Sequence, residues 1–158
     1  MKIIDSKLLD SLSAQARANP RHRKNLNLHQ NYDEPSQRLL NAMEPASYIR
    51  PHRHLIDPKP ESFIGLRGRL VLLIFAESGE VEQIIPFGPG EDVLGVDLPI
   101  GIWHSVVCLE TGSVFYETKP GPFLPIYDKD FAPWAPAEGS ADAPTYLQRL
   151  VDLVVARG

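Results

Sequence analysis

A single cysteine, Cys108, leaves this chain without an intrachain disulfide framework and without a thiolate zinc knuckle. No stretch reaches the ~18 consecutive apolar residues of a membrane-spanning helix. The opening Met1-Lys2-Ile3-Ile4-Asp5-Ser6 turns polar too early for an export signal. A cytoplasmic protein with no membrane partner is the expectation. Long runs of one charge are missing as well: 16 basic against 20 acidic residues give a formal charge of −4, which argues against a nucleic-acid partner. There is no internal repeat and no low-complexity tract. Proline, by contrast, is plentiful. Fifteen prolines and eleven glycines in 158 residues cut the chain into short segments and argue against a helix bundle. The length suits one domain that buries roughly 70% of the surface of its unfolded chain.

Taken in order, Ser6 to Ala18 has the period of an amphipathic helix, with Leu8, Leu9, Leu12 and Ala16 on one face, Asp5 or Ser6 as cap and Asn19-Pro20 as stop. The basic cluster Arg21-His22-Arg23-Lys24 is either a solvated turn or part of a pocket mouth. Asn25 to His29 alternates like a half-buried strand, on which His29, alone, reads as a hydrogen-bonded structural residue. From Gln37 the period of two takes over. Strands are expected over Gln37 to Met43, Ser47 to His54, Glu61 to Leu66, Arg69 to Ala76, Val81 to Pro86, Asp92 to Leu98, Ile102 to Leu109 and Ser113 to Thr118. Leu70 to Phe75 is apolar throughout, so both faces should be covered, the outer one by a helix or a second subunit; a homodimer is the expectation drawn from this. Pro120 to Pro125 and Phe131 to Pro136 read as an ordered wrap that packs aromatics on the strands. Leu147, Leu150, Val151 and Val154 mark a terminal helix. The whole is mainly β, an antiparallel barrel or double-sheet roll with short N- and C-terminal helices. Residues 1–35 form a helix and lead-in strand, 36–119 the barrel core and 120–158 the wrap and last helix, all in one domain.

The chemistry is concentrated in two places. His52 and His54 stand two apart in Arg50-Pro51-His52-Arg53-His54, so on a strand both imidazoles leave one face. Glu61 follows across a loop rich in proline, and His104 ends Pro99-Ile100-Gly101-Ile102-Trp103-His104 on a later strand. Three imidazoles and a carboxylate can close on one divalent ion, and they suit zinc, iron, nickel and manganese alike. By alternation Tyr48 and Arg50 share the face of His52 and His54, and Val106 and Cys108 that of His104. Arg50 either adds positive charge to the pocket, favouring an anionic or carbonyl-bearing ligand, or pairs with an acidic neighbour. Tyr116 and Lys119 are candidate acid–base groups at the rim. Cys108 reads as a small buried hydrophobe.

These stretches resemble the cupin superfamily. Its first motif is His-x-His, then Glu, then six residues and Gly, and its second is Pro-x-Gly-x-x-His. His52, His54, Glu61 and Gly68 fill the first; Pro99, Gly101 and His104 fill the second. Most of the chain is similar to the small WbuC-type cupin fold metalloproteins of bacteria, carried by Arg23-Lys24-Asn25-Leu26-Asn27-Leu28-His29, Gln37 to Ala42, Ser47 to His54, Glu117-Thr118-Lys119-Pro120-Gly121-Pro122 and Phe131 to Pro136. The pattern departs at Ala46, where a glycine often stands, and at Cys108, where an asparagine often closes the second motif. Six residues separate His54 from Glu61, where three or four are usual, and this leaves open whether Glu61 is a ligand or stands behind the ligands. The resemblance implies a cupin jelly-roll, a bound divalent metal, a cytoplasmic protein and a link to surface-polysaccharide biosynthesis.

Two functions follow as expectations. One is a metal-dependent enzyme acting on a small polar or anionic metabolite such as a sugar derivative, by isomerisation or epimerisation, or by oxygen chemistry if the metal is iron. The other is a non-catalytic module that uses the metal to hold a small ligand.

Overall fold

The structure, a computed structural model, describes residues 1–125 and 129–157. Helix α1 (Ser6–Ala18) starts where the Asp5 carboxylate accepts the Leu8 amide at 2.9 Å, and ends at Asn19 just before Pro20. The strands follow as β1 (Arg23–Asn27), β2 (Ser36–Met43), β3 (His52–Arg53), β4 (Glu61–Arg67), β5 (Leu70–Phe75), β6 (Val81–Phe87), β7 (Gly95–Leu98), β8 (Trp103–Cys108), β9 (Ser113–Pro120) and β10 (Asp130–Phe131), and helix α2 (Ala143–Arg157) closes the described chain. They form two five-stranded antiparallel sheets, ordered β1-β2-β9-β4-β7 and β10-β3-β8-β5-β6, a two-sheet jelly roll. No helix among the described residues is long and apolar enough to cross a membrane.

Alternation along each strand divides the side chains between three apolar layers. Between the sheets lie Phe63, Leu70, Leu72, Ile74, Phe87, Val106, Cys108 and Phe115. Outside the first sheet, Leu9, Leu12 and Ala16 of α1 cover Leu40, Ala42 and Val114. Outside the second, Leu147, Leu150 and Val154 of α2, with Ala132 and Ala135 of the wrap, cover Val71, Leu73 and Phe75. All six residues of β5 are buried, as its apolar run requires. The chain's own terminal helix covers the outer face, so this strand gives no reason for a second subunit. The wrap is fastened by its aromatics: Trp134 lies 5.2 Å from Phe75 and 6.1 Å from Trp103, ring centre to ring centre. Ile126, Tyr127 and Asp128, part of the expected wrap, lie outside the described residues.

Two expected strands shrink. Between Ser47 and His54 only His52 and Arg53 join a ladder, because Pro51 has no amide to donate and the preceding residues are irregular. The strand expected from Asp92 begins at Gly95. β1, expected as a lead-in, is a full member of the first sheet, paired with β2 from Arg23↔Met43 to Asn27↔Leu39. The motif glycine Gly68 has φ +73°, and a Cβ there would come within 2.8 Å of the Ser113 backbone. It lets the chain turn sharply from β4 into β5 against the start of β9.

Candidate metal centre

Strand register brings the site together. His52 on β3 stands directly opposite His104 on β8, placing their ring centres 4.4 Å apart. His54 follows two residues later. Glu61 is the first residue of β4, opposite Leu98. The loop before it is pinned: the Lys59 ammonium pairs with Asp57 and donates to the Pro122 carbonyl. The longer spacing between His54 and Glu61 therefore does not swing the carboxylate away. All four residues are buried, and one ligand atom from each lies within 4.8 Å of every other.

The ring orientations follow from the backbone. His52 Nδ1 lies 3.0 Å from the Arg50 carbonyl and His104 Nδ1 lies 2.9 Å from that of Ile102. An Nδ1–H donated to each carbonyl turns the Nε2 lone pair inward, the arrangement that metal-binding histidines use. Inside, His54 Nε2 and His104 Nε2 both stand 3.1 Å from the same oxygen, Glu61 Oε2. Lone pairs this close repel unless a proton or a cation lies between them, and a shared divalent ion would satisfy them together. The charge states agree with that fit. Burial, with the Lys129 and His104 charges, holds His52 well below the usual imidazole range, so its ring stays neutral. Burial alone would raise the Glu61 carboxyl, but His104, His54 and the Lys119 ammonium outweigh it and keep it well below the ordinary value, ionised.

Around this cluster lies a cavity of about 760 Å³, walled by Met43, Phe63, Val106 and Phe115 and continued by polar groups towards β1. Lys119 and Arg50 line it. Lys119 Nζ is 3.3 Å from Glu61 Oε1 and 3.7 Å from Glu117. Arg50 donates to the Ala132 carbonyl at 2.7 Å and lies over the Phe131 ring; no carboxylate among the described residues pairs with it. Its charge therefore adds to the cavity. The thiol of Cys108 is buried, pushed up by that burial, and points at the Met43 and Glu110 carbonyls as a weak donor.

Two candidates stand elsewhere. Tyr48 packs in the layer under α2, its hydroxyl donating to the Pro136 carbonyl at 2.9 Å, because the irregular segment before Pro51 breaks the alternation that would have aimed it at the histidines. Tyr116 packs under α1 on the outer face of β9. The group that alternation does bring in beside Lys119 is Glu117, two residues before it. Asn41 donates to Glu117 at 2.7 Å, and burial together with the nearby Glu61 charge pushes its carboxyl up to about 7. Counting by two from Lys119 finds Glu117 and excludes Tyr116. At the mouth, Arg21 and Arg23 both clasp Glu138, at 2.6 Å each, and settle that cluster as part of the pocket rim.

Among solved structures, the chain is similar to CapF with the inhibitor 3-isopropenyl-tropolone, with 23% identity, a TM-score of 0.55, and 72% of this chain and 32% of that one covered. It is also similar to oxalate decarboxylase from Bacillus subtilis, with 18% identity, a TM-score of 0.52, and 69% and 27% covered. KdgF from Halomonas sp. aligns at 15% identity and a TM-score of 0.49 over 65% and 82%. The chain thus spans about a third or less of the first two proteins, and the likeness is one of fold. No curated protein matches the sequence. A sequence-family model matches residues 4–86, from just before the first helix through His52, His54 and Glu61 into β6, and by that match the chain is a member of the family described as Domain of unknown function (DUF6016).

Proposed function

We propose that His52, His54, Glu61 and His104 bind one divalent metal ion, zinc, iron, nickel or manganese, and that the cavity around it is the active site of an enzyme acting on a small polar or anionic metabolite. The observation that carries this reading is the convergence of two inward Nε2 atoms, each 3.1 Å from the same buried carboxylate oxygen. When bound, the metal supplies Lewis acidity towards a carbonyl or hydroxyl oxygen of the ligand. The chain supplies the rest. Arg50 adds positive charge that draws an anionic group in, and Phe63, Val106 and Phe115 exclude water from one wall. Glu117 and Lys119 lie side by side in the cavity as a carboxyl and an ammonium able to give and take a proton. A module that only held a ligand would have no use for such a pair, and this favours the enzyme. The WbuC-type resemblance supports a sugar derivative of surface-polysaccharide synthesis as the substrate, and isomerisation or epimerisation is a reaction that a metal flanked by proton-transfer groups suits.

Metal content by mass spectrometry, on wild type beside His52→Ala and His104→Ala, tests the site. Near-stoichiometric metal in the wild type, lost from both variants, is expected. A wild type that is metal-free, and takes up none of the four ions when they are added, would sink the proposal. The metal found selects the assay: oxygen uptake for iron, sugar isomerisation for the others. Tight binding of ligand without turnover in either would identify the non-catalytic module instead.

A further inference from the structure

We infer that His29 is a ligand-binding residue, the centre of a second subsite at the far end of the cavity that receives a neutral, hydroxyl-bearing ring. The inference rests on the metal-site reading, since the ligand's other end is taken to lie at His52, Glu61 and His104.

His29 follows β1 and is 5% exposed. The Arg38 amide of β2 donates to its Nδ1 at 3.0 Å. A backbone amide always carries its proton, so Nδ1 must offer a lone pair and the ring's proton sits on Nε2. The Arg38 carbonyl, also 3.0 Å from Nδ1, already accepts the Leu28 amide at 2.8 Å. Nε2 is buried and has no hydrogen-bond partner among the described residues. One nitrogen of this histidine therefore serves the fold, and the other presents a donor with nothing to receive it. Buried donors are rarely left so unless a ligand or a water completes them.

The surroundings say what kind of ligand. His29 lines the same cavity as the metal cluster, together with Asn27, Tyr32, Asn41 and Phe123. Tyr32 lies 5.9 Å from the His29 ring and 4.9 Å from that of Phe123, which makes an aromatic shelf. The Asn25 amide donates to Asn27 Oδ1 at 3.0 Å, which leaves the Asn27 NH2 as a further donor. A neutral N–H, side-chain amides and an aromatic face match a sugar ring, whose hydroxyls both give and accept hydrogen bonds. The sheet order β1-β2-β9-β4 puts three strand spacings of about 4.8 Å between the strand of His29 and that of Glu61. A ligand touching both ends is longer than one small acid, and a glycosylated hydroxy acid has the shape.

Gluconate, and lactobionate (gluconate carrying a galactosyl ring), are the probes, titrated calorimetrically into metal-loaded protein. Lactobionate is expected to bind roughly 3- to 10-fold tighter than gluconate, the range of one added hydrogen bond. His29→Asn retains an amide oxygen to accept the Arg38 amide and loses the Nε2 donor. It should erase that advantage while leaving gluconate affinity and metal content unchanged. In zinc-loaded wild type, a long-range proton–nitrogen spectrum of the imidazoles should show His29 protonated on Nε2, with that resonance moved by lactobionate and not by gluconate. Metal retained and gluconate bound, but with equal affinities for the two acids, or an advantage that survives His29→Asn, would overturn the subsite and leave the metal site standing. Metal retained with neither acid bound would overturn the subsite too. Absence of metal from the wild type would overturn the reading beneath it.

Discussion

The two halves of the barrel interior are built from the same strands and do opposite work. On β8, His104 faces the cavity and Cys108, four residues on, lies in the apolar layer; on β9, Lys119 faces the cavity and Phe115 the apolar layer. Towards one end the interior holds Leu70, Leu72, Phe87 and Cys108, fully buried in one apolar cluster. Towards the other it holds three imidazoles, the Glu61 carboxyl and the Lys119 ammonium, all buried, with the half-buried Glu117 carboxyl beside them. Burial stabilises the first set and is costly for the second. The apolar end therefore supports a polar end that the fold on its own would not favour, and a metal would remove much of the cost.

Substitutions should separate the halves. Phe87, fully buried and 6.2 Å from the Phe115 ring, carries the largest expected stability effect. Phe87→Ala should cost about 4 kcal/mol by denaturant unfolding, without changing the metal content of the protein that remains folded. Next is Lys119→Met. In metal-free protein it leaves Glu61 and Glu117 facing each other without the ammonium, and should cost roughly 3 kcal/mol. With metal bound the cost should shrink, because the ion takes over the neutralisation of Glu61. Equal losses in metal-free and metal-loaded protein would show that Lys119 and the metal site are independent, and would break the contrast between the two ends.

How much of this was legible in the sequence follows the same division. The doubly apolar run Leu70 to Phe75 fixes a strand covered on both faces, and α2 and the barrel interior cover it. The spacing of His52, His54 and His104 brings three imidazoles together because β3 and β8 pair in register. Alternation misplaces Tyr48 because no ladder exists before His52 to carry it through Pro51. Tyr116 lies three residues from Lys119, an odd step that puts the two on opposite faces of β9. Glu117 could have been found by the even step. His29 could not, since the role of each ring nitrogen depends on the Arg38 amide across the sheet, a contact that no local pattern encodes.

The rim offers a third environment, between the apolar end and the buried charges, and its expected effect is the smallest. Glu138 joins Arg21 and Arg23, and its side chain is about a third exposed. Burial would raise its carboxyl, but the two guanidinium groups outweigh that and lower it from 4.5 to about 2. A carboxyl with a depressed folded-state value stabilises the fold above its unfolded value and loses that contribution as pH falls through the folded one. The difference in unfolding free energy between wild type and Glu138→Gln should thus be constant above about pH 5, decline below 4.5, and be largely spent near pH 2. Solvent screening at this exposure holds it to about 1 kcal/mol, reduced further by salt. A difference that does not change between pH 6 and pH 2 would mean that the pairs seen at the rim add nothing to stability. The polar groups of this protein would then matter only where they are fully buried.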